Sequence, residues 1–182
     1  MILFKKITID DVDLKEIQND CRLVLSQAGL PDHSHFYYLE EINDRFQKIQ
    51  SLKNLLIKLN LSDYWILTAI IILYNDAEIH VDSGEFNYSL VIPLQNNQEA
   101  YTVFYESMAD PVATNVPTED SYTFYEFAPE NCREISRVEI TMPTLINVKV
   151  PHGVTVNQHT LPRLCIVCRL HKTFDINKWH FE

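Results

Sequence analysis

The run YWILTAIIIL, residues 64 to 73, limits the fold more than any other part of the chain. It is apolar on both faces and rich in β-branched side chains, so it reads as a central strand covered on its outer side. A covering layer is available upstream. Leu14, Ile17, Cys21, Val24 and Ala28 form one helical stripe across residues 12 to 28. Asp10 or Asp11 can cap its start, and Gly29 followed by Pro31 can end it. A second stripe runs through Ile42, Phe46, Ile49, Leu52, Leu56 and Leu59. Between them, PDHSHFYY (31 to 38) reads as a polar and aromatic link. Both helices are one-sided and need an apolar surface to lie against.

Downstream the pattern turns to short β-like runs, at 77–82, 88–94, 101–106, 121–127, 138–140, 145–150 and 161–171. Their spacing is that of an antiparallel all-β domain, and the absence of repeated βαβ units argues against a doubly wound sheet. Residues 106 to 134 break the rhythm. They carry seven acidic side chains against Arg133, with Pro111, Pro117 and Pro129 among them. This stretch is either a solvated excursion or a segment lining the mouth of a site. The expected organisation is one domain over 1–182, with helical support in 1–60 and an all-β core in 61–182.

Twenty-five acidic and 15 basic residues leave a formal charge of -10. Such a surface disfavours nonspecific nucleic-acid binding, which needs basic groups against phosphate. The longest apolar run has about ten residues, short of the roughly 20 that cross a bilayer. The opening MILFKKITIDDVD lacks the apolar core of a secretory leader. A cytoplasmic protein without membrane contact is expected. Cys165 and Cys168 form a lone C-x-x-C inside RLCIVCRL. In a strand, positions three apart face opposite ways, so this pair reads as small buried side chains rather than a metal or redox pair.

The chemistry centres on IHVD, residues 79 to 82. In extended backbone His80 and Asp82 share a face, roughly 6 to 7 Å apart, while Ile79 and Val81 face the other way. A second histidine, His152, follows in PHGV. Two histidines and one carboxylate are the ligand set of non-haem ferrous sites, occupying one face of an octahedron and leaving positions open. An H-x-D triplet alone is common by chance, and His152 beside Gly153 is an ordinary turn. Arg163 begins the apolar strand RLCIVCRL, where it shares a face with Cys165, Val167 and Arg169. It either points inward, toward an anionic partner suited to its planar fork, or snorkels to solvent.

Taken in order, IHVD, YSLVIPLQN (88–96), YTVFYE (101–106), PTLINVKVPHGVTVN (143–157) and PRLCIVCRL (162–170) resemble the 2-oxoglutarate- and iron(II)-dependent oxygenases. The likeness is to the short prolyl-hydroxylase-like and phytanoyl-hydroxylase-like members, over residues 64 to 171. It implies a double-stranded β-helix, a cupin-like jelly-roll barrel, with the N-terminal helices outside the larger sheet. It implies that His80, Asp82 and His152 hold Fe(II), and that Arg163 binds the far carboxylate of 2-oxoglutarate. Hydroxylation of a small molecule or a peptidyl side chain by dioxygen is the implied reaction.

The chain departs from the family where a small hydroxylated residue follows the arginine by two positions; here it is Cys165. A family tyrosine often assists the cofactor, and Tyr88, Tyr101 and Tyr105 are all candidates. His159 competes weakly with His152, and Arg169 with Arg163. His33, His35, His171 and His180 read as surface or linker histidines. Two rival functions stand beside the oxygenase: a cupin-type metal dioxygenase without 2-oxoglutarate, and a non-catalytic jelly-roll binding or structural module. The oligomeric state is left open.

Overall fold

Within each run of four core strands, successive strands cross between two antiparallel sheets, and this alternation defines the barrel. A computed structural model describes residues 1–28, 35–37, 48–115 and 123–180. The crossing strands are β3 (Trp65–Leu73), β4 (Ala77–Asp82), β5 (Phe86–Gln95) and β6 (Tyr101–Ser107), then β9 (Cys132–Glu139), β10 (Thr144–Asn147), β11 (His152–Thr155) and β12 (Arg163–His171). Four shorter strands complete the set: β1 (Phe4–Lys6), β2 (His35–Tyr37), β7 (Val112–Asn115) and β8 (Thr123–Glu126). One sheet has the order β1-β10-β5-β12-β3-β2, and the other β7-β8-β4-β11-β6-β9. This is the expected jelly-roll architecture, a double-stranded β-helix with helices on one side.

Those helices are α1 (Asp11–Ala28) and α2 (Gln50–Lys58). Their apolar faces, with Ile17, Cys21, Leu52 and Leu56, pack on Ile70, Ile72, Leu90, Ile92 and Ile166 of the first sheet. A separate inner core lies in the barrel and contains Phe86, Val91, Phe104, Ile146, Cys165 and Val167. Strand β12 divides the two. Cys168 belongs to the outer cluster and Cys165 to the inner one, so the C-x-x-C residues do face opposite ways. Both sulfurs are buried and unpaired. Among the described residues, no helix is long and apolar enough to cross a membrane.

The upstream segment is not purely helical. β1 pairs with β10 at one edge of the first sheet, and β2, within the expected link, pairs with β3 at the other. Ile42 and Phe46 of the second helical stripe lie outside the described residues. PHGV is not a turn: it opens β11, which is seated between β4 and β6. Residues 106 to 134 are not only an excursion. β7 and β8 pair with each other, and β8 pairs with β4, so they extend the sheet beside the H-x-D strand.

Candidate metal centre

The register of two neighbouring strands assembles the triad. His152 on β11 is the direct cross-strand partner of His80 on β4. Directly opposed residues share a face, and Asp82 shares it too, two positions along. All three side chains are buried. Their donor atoms all lie within 4.8 Å of one another, close enough to converge on one ion. His80 Nε2 and Asp82 Oδ1 are 3.6 Å apart, and the two imidazole centroids 4.6 Å.

Backbone carbonyls fix the ring tautomers. His80 Nδ1 donates to the carbonyl of Glu78 at 2.8 Å, and His152 Nδ1 to that of Val150 at 2.9 Å. A carbonyl oxygen only accepts, so each Nδ1 carries a proton, and a neutral ring anchored this way keeps its lone pair on Nε2. That is the form a metal-binding imidazole takes, with its second nitrogen anchored behind it. Burial, together with the neighbouring His80, holds the His152 pKa down to about 4. Its ring is therefore neutral, with its lone pair available, at ordinary pH.

Gly153 makes the close strand contact possible. A Cβ there would lie 3.0 Å from the Ala77 carbonyl oxygen and 3.4 Å from that of Glu78, where β11 bulges against β4.

Arg163 points inward, as one of the two sequence readings had it. It is 2% exposed and lines a cavity with His80, Asp82, His152, Thr102, Val167 and Arg169. Its buried Nε has no hydrogen-bond partner among the described residues. An orphaned guanidinium N–H in the barrel is costly unless an anion answers it. The cavity as it stands is narrow, about 30 Å³, which is roughly the space of one water. The donor set fits a divalent ion, and Arg163 fits a carboxylate by charge. The open volume is smaller than a five-carbon diacid.

The three tyrosines lie elsewhere, and none lines this cavity. Tyr88 packs into the outer core against Phe174. Tyr101 stands beneath the Arg137 guanidinium on the far face of the second sheet. Tyr105 is on the same strand face as Tyr101, with Glu134 opposite it on β9. The alternation that brings Thr102 and Phe104 inward turns Tyr101 and Tyr105 outward, so the assisting tyrosine is a correction. His159 is exposed in the turn before β12, away from the triad.

Two participants, Thr102 and Asn97, were not foreseen, and Arg169, weighed only as a lesser alternative to Arg163, has a place of its own. Arg169 enters the same cavity, pairs with Asp82, and donates to Ser89 Oγ at 2.9 Å. Its sequence signal was its shared face with Arg163 on one strand. Thr102 is a buried hydroxyl in the cavity wall. Asn97 accepts from the Cys165 thiol at 2.9 Å and donates to the Leu164 carbonyl, so the departure at Cys165 comes with its own polar partner.

No family profile and no curated protein matches the chain. Solved structures do. The fold is similar to SnoK, a non-heme alpha-ketoglutarate-dependent carbocyclase of nogalamycin biosynthesis, at TM-score 0.59 and 12% identity, covering 92% of this chain and 78% of that one. It is similar to the epimerase SnoN, solved with Fe3+ and alpha-ketoglutarate, at TM-score 0.58 and 11% identity over 92% and 78% of the two chains. HygX from Streptomyces hygroscopicus, solved with nickel and 2-oxoglutarate, aligns at TM-score 0.53 and 13% identity over 94% and 83%. At these identities the likeness is one of fold.

Proposed function

We propose that the chain is a ferrous- and 2-oxoglutarate-dependent oxygenase acting on a small molecule or a peptidyl side chain, most simply as a hydroxylase. One observation carries the reading: a buried His-Asp-His set, with both Nδ1 atoms anchored on backbone carbonyls, shares a cavity with a buried arginine whose Nε is orphaned. The fold neighbours support it, since SnoN and HygX were solved with a metal and the 2-oxo acid.

In this reading His80, Asp82 and His152 hold the ion on one face, and Arg163 receives the far carboxylate of the diacid. With dioxygen, the iron and 2-oxoglutarate supply an oxidant for an unactivated C–H bond, releasing succinate and carbon dioxide. The protein's share is orientation and exclusion of water. The Nδ1 anchors fix both imidazoles, Phe104 packs beside the His152 ring with centroids 6.3 Å apart, and the buried wall keeps bulk solvent out. The expected setting is the cytoplasm.

The narrow cavity favours a second reading, a cupin-type metal dioxygenase that binds no diacid. Anaerobic titration separates the two. Iron-loaded protein given 2-oxoglutarate is expected to develop a metal-to-ligand charge-transfer band. His152→Ala should abolish it, and Arg163→Ala should raise the diacid concentration it needs at least tenfold. Metal binding with no band, and no change in Arg163→Ala, selects the second reading. Failure of the protein to bind a divalent ion at all sinks both.

A further inference from the structure

Asp82 has two carboxylate oxygens, and the barrel treats them differently. Oδ1 faces the His80 Nε2. Oδ2 is taken by Arg169 Nη1. Both partners are buried, at 4% and 3% exposed, so solvent does not compete for the pair. Arg169 is itself fixed from two further sides. The same Nη1 donates to the buried Ser89 hydroxyl on β5, and the guanidinium carbon sits 4.8 Å from the Phe86 ring centroid.

Phe86 is held in turn. Gly84 has a positive φ of 100°, and a Cβ there would approach Phe86 Cε1 to 2.8 Å, so the ring fits only beneath a glycine. Lys149 stands on the same ring at 5.4 Å and donates to the carbonyls of Asp82 and Gly84. Strand end, ring and guanidinium thus form one support behind the carboxylate.

We propose that Arg169 is a positioning residue: it holds Asp82 Oδ2 so that only Oδ1 is offered to the ion. The proposal rests on the metal-binding reading of the triad. A carboxylate free at both oxygens can chelate through both and so take two coordination positions. Held at one oxygen, it takes one, and three positions stay open for diacid and dioxygen. Arg169 thereby differs in role from Arg163, although both face inward from β12. The orphaned Arg163 awaits an anion from outside, whereas Arg169 is committed to one already in the chain.

The test uses cobalt(II) alone, with no diacid and no turnover. Affinity is measured by titration, and ligand geometry by the d–d absorption of the bound ion. Arg169→Met is expected to bind cobalt about 10- to 100-fold more weakly, the range seen when an outer partner of a metal ligand is removed. Its d–d bands should also shift, because Asp82 is free to turn. Arg169→Lys should recover most of the affinity, since an ammonium has donors enough for Asp82 and Ser89 together.

Wild-type affinity and unshifted bands in Arg169→Met overturn the proposal and leave the metal site standing. A wild-type protein that binds no cobalt overturns the proposal together with the metal reading beneath it. If Arg169→Met does not fold, Arg169→Lys and Ser89→Ala decide. Ser89→Ala loosens the guanidinium without unpairing Asp82, so affinity should fall a few-fold with shifted bands. With near-wild-type affinity expected in Arg169→Lys, unchanged affinity and bands in Ser89→Ala overturn the proposal, as does an Arg169→Lys protein that folds but regains no affinity.

Discussion

At His152 the ring has lost water on every side and meets a second imidazole, so adding a proton is costly. The unfolded chain gives this group its ordinary pKa of 6.5, and the fold pushes it down to about 4. The unfolded state therefore binds more protons between those two values, and stability rises with pH across that window. The neutral ring's contribution is fully present above about pH 6.5 and is lost as pH falls through about 4. The shift corresponds to about 3 kcal/mol. Urea unfolding of metal-free protein at pH 7 and pH 4.5 should reveal this loss, and His152→Gln should flatten it. An equal pH slope in the variant would assign the acid sensitivity to other groups. His80 and Asp82 were legible as a pair because H-x-D in a strand places two side chains on one face, while His152 joined them through the family resemblance and not through any local pattern. The Asp82–Arg169 pair was not legible. Its partners are 87 residues apart, and no local pattern reports which inward arginine meets which inward carboxylate.

Strands with clean alternation are legible to within about two residues, and the shortest strands are not legible at all. AEIHVD alternates through Ile79, His80, Val81 and Asp82, and β4 spans Ala77–Asp82 as expected. β12 alternates between two cores and was equally clear. β11 has four residues, one of them glycine, and too few side chains to declare a period. β1 and β2 have three residues each, so only their edge pairing reveals them. Yet β11 carries half of the histidine pair, and its fit against β4 depends on Gly153. The atoms a Cβ would meet there are the Ala77 and Glu78 carbonyls, which are backbone and cannot swing aside. Gly153→Ala should push β11 from β4 and destabilise the protein by about 1–3 kcal/mol, the usual cost of overpacking. It should also weaken cobalt binding, because the His152 ring moves away from His80. Denaturant unfolding and a cobalt titration on the same sample check both halves. Wild-type values for both would mean that the bulge absorbs the methyl group without moving the ligands.

The molecule as a whole keeps two apolar cores on opposite faces of one sheet, and this division separates stability from chemistry. The outer core, between the helices and the first sheet, holds Leu52, Leu56, Ile70 and Ile166. The C-terminal segment closes over it, with Trp179 Nε1 donating to the Leu59 carbonyl at 2.7 Å. The inner core surrounds the triad and contains none of these side chains. The helical stripes announced the outer core, because periodicity records which side of a helix is covered. The size and contents of the inner cavity were not legible, since they depend on how two sheets curve together. Leu56 is fully buried on α2, so Leu56→Ala should leave a cavity and cost about 2–5 kcal/mol. Sites with no shared partner respond independently, and β12 with its neighbours stands between Leu56 and the histidines. The variant should therefore melt at lower temperature while its cobalt spectrum and affinity, measured well below that melt, match the wild type. A shifted spectrum in Leu56→Ala would mean that the helical layer sets the ligand geometry through the sheet, and that the two cores act as one.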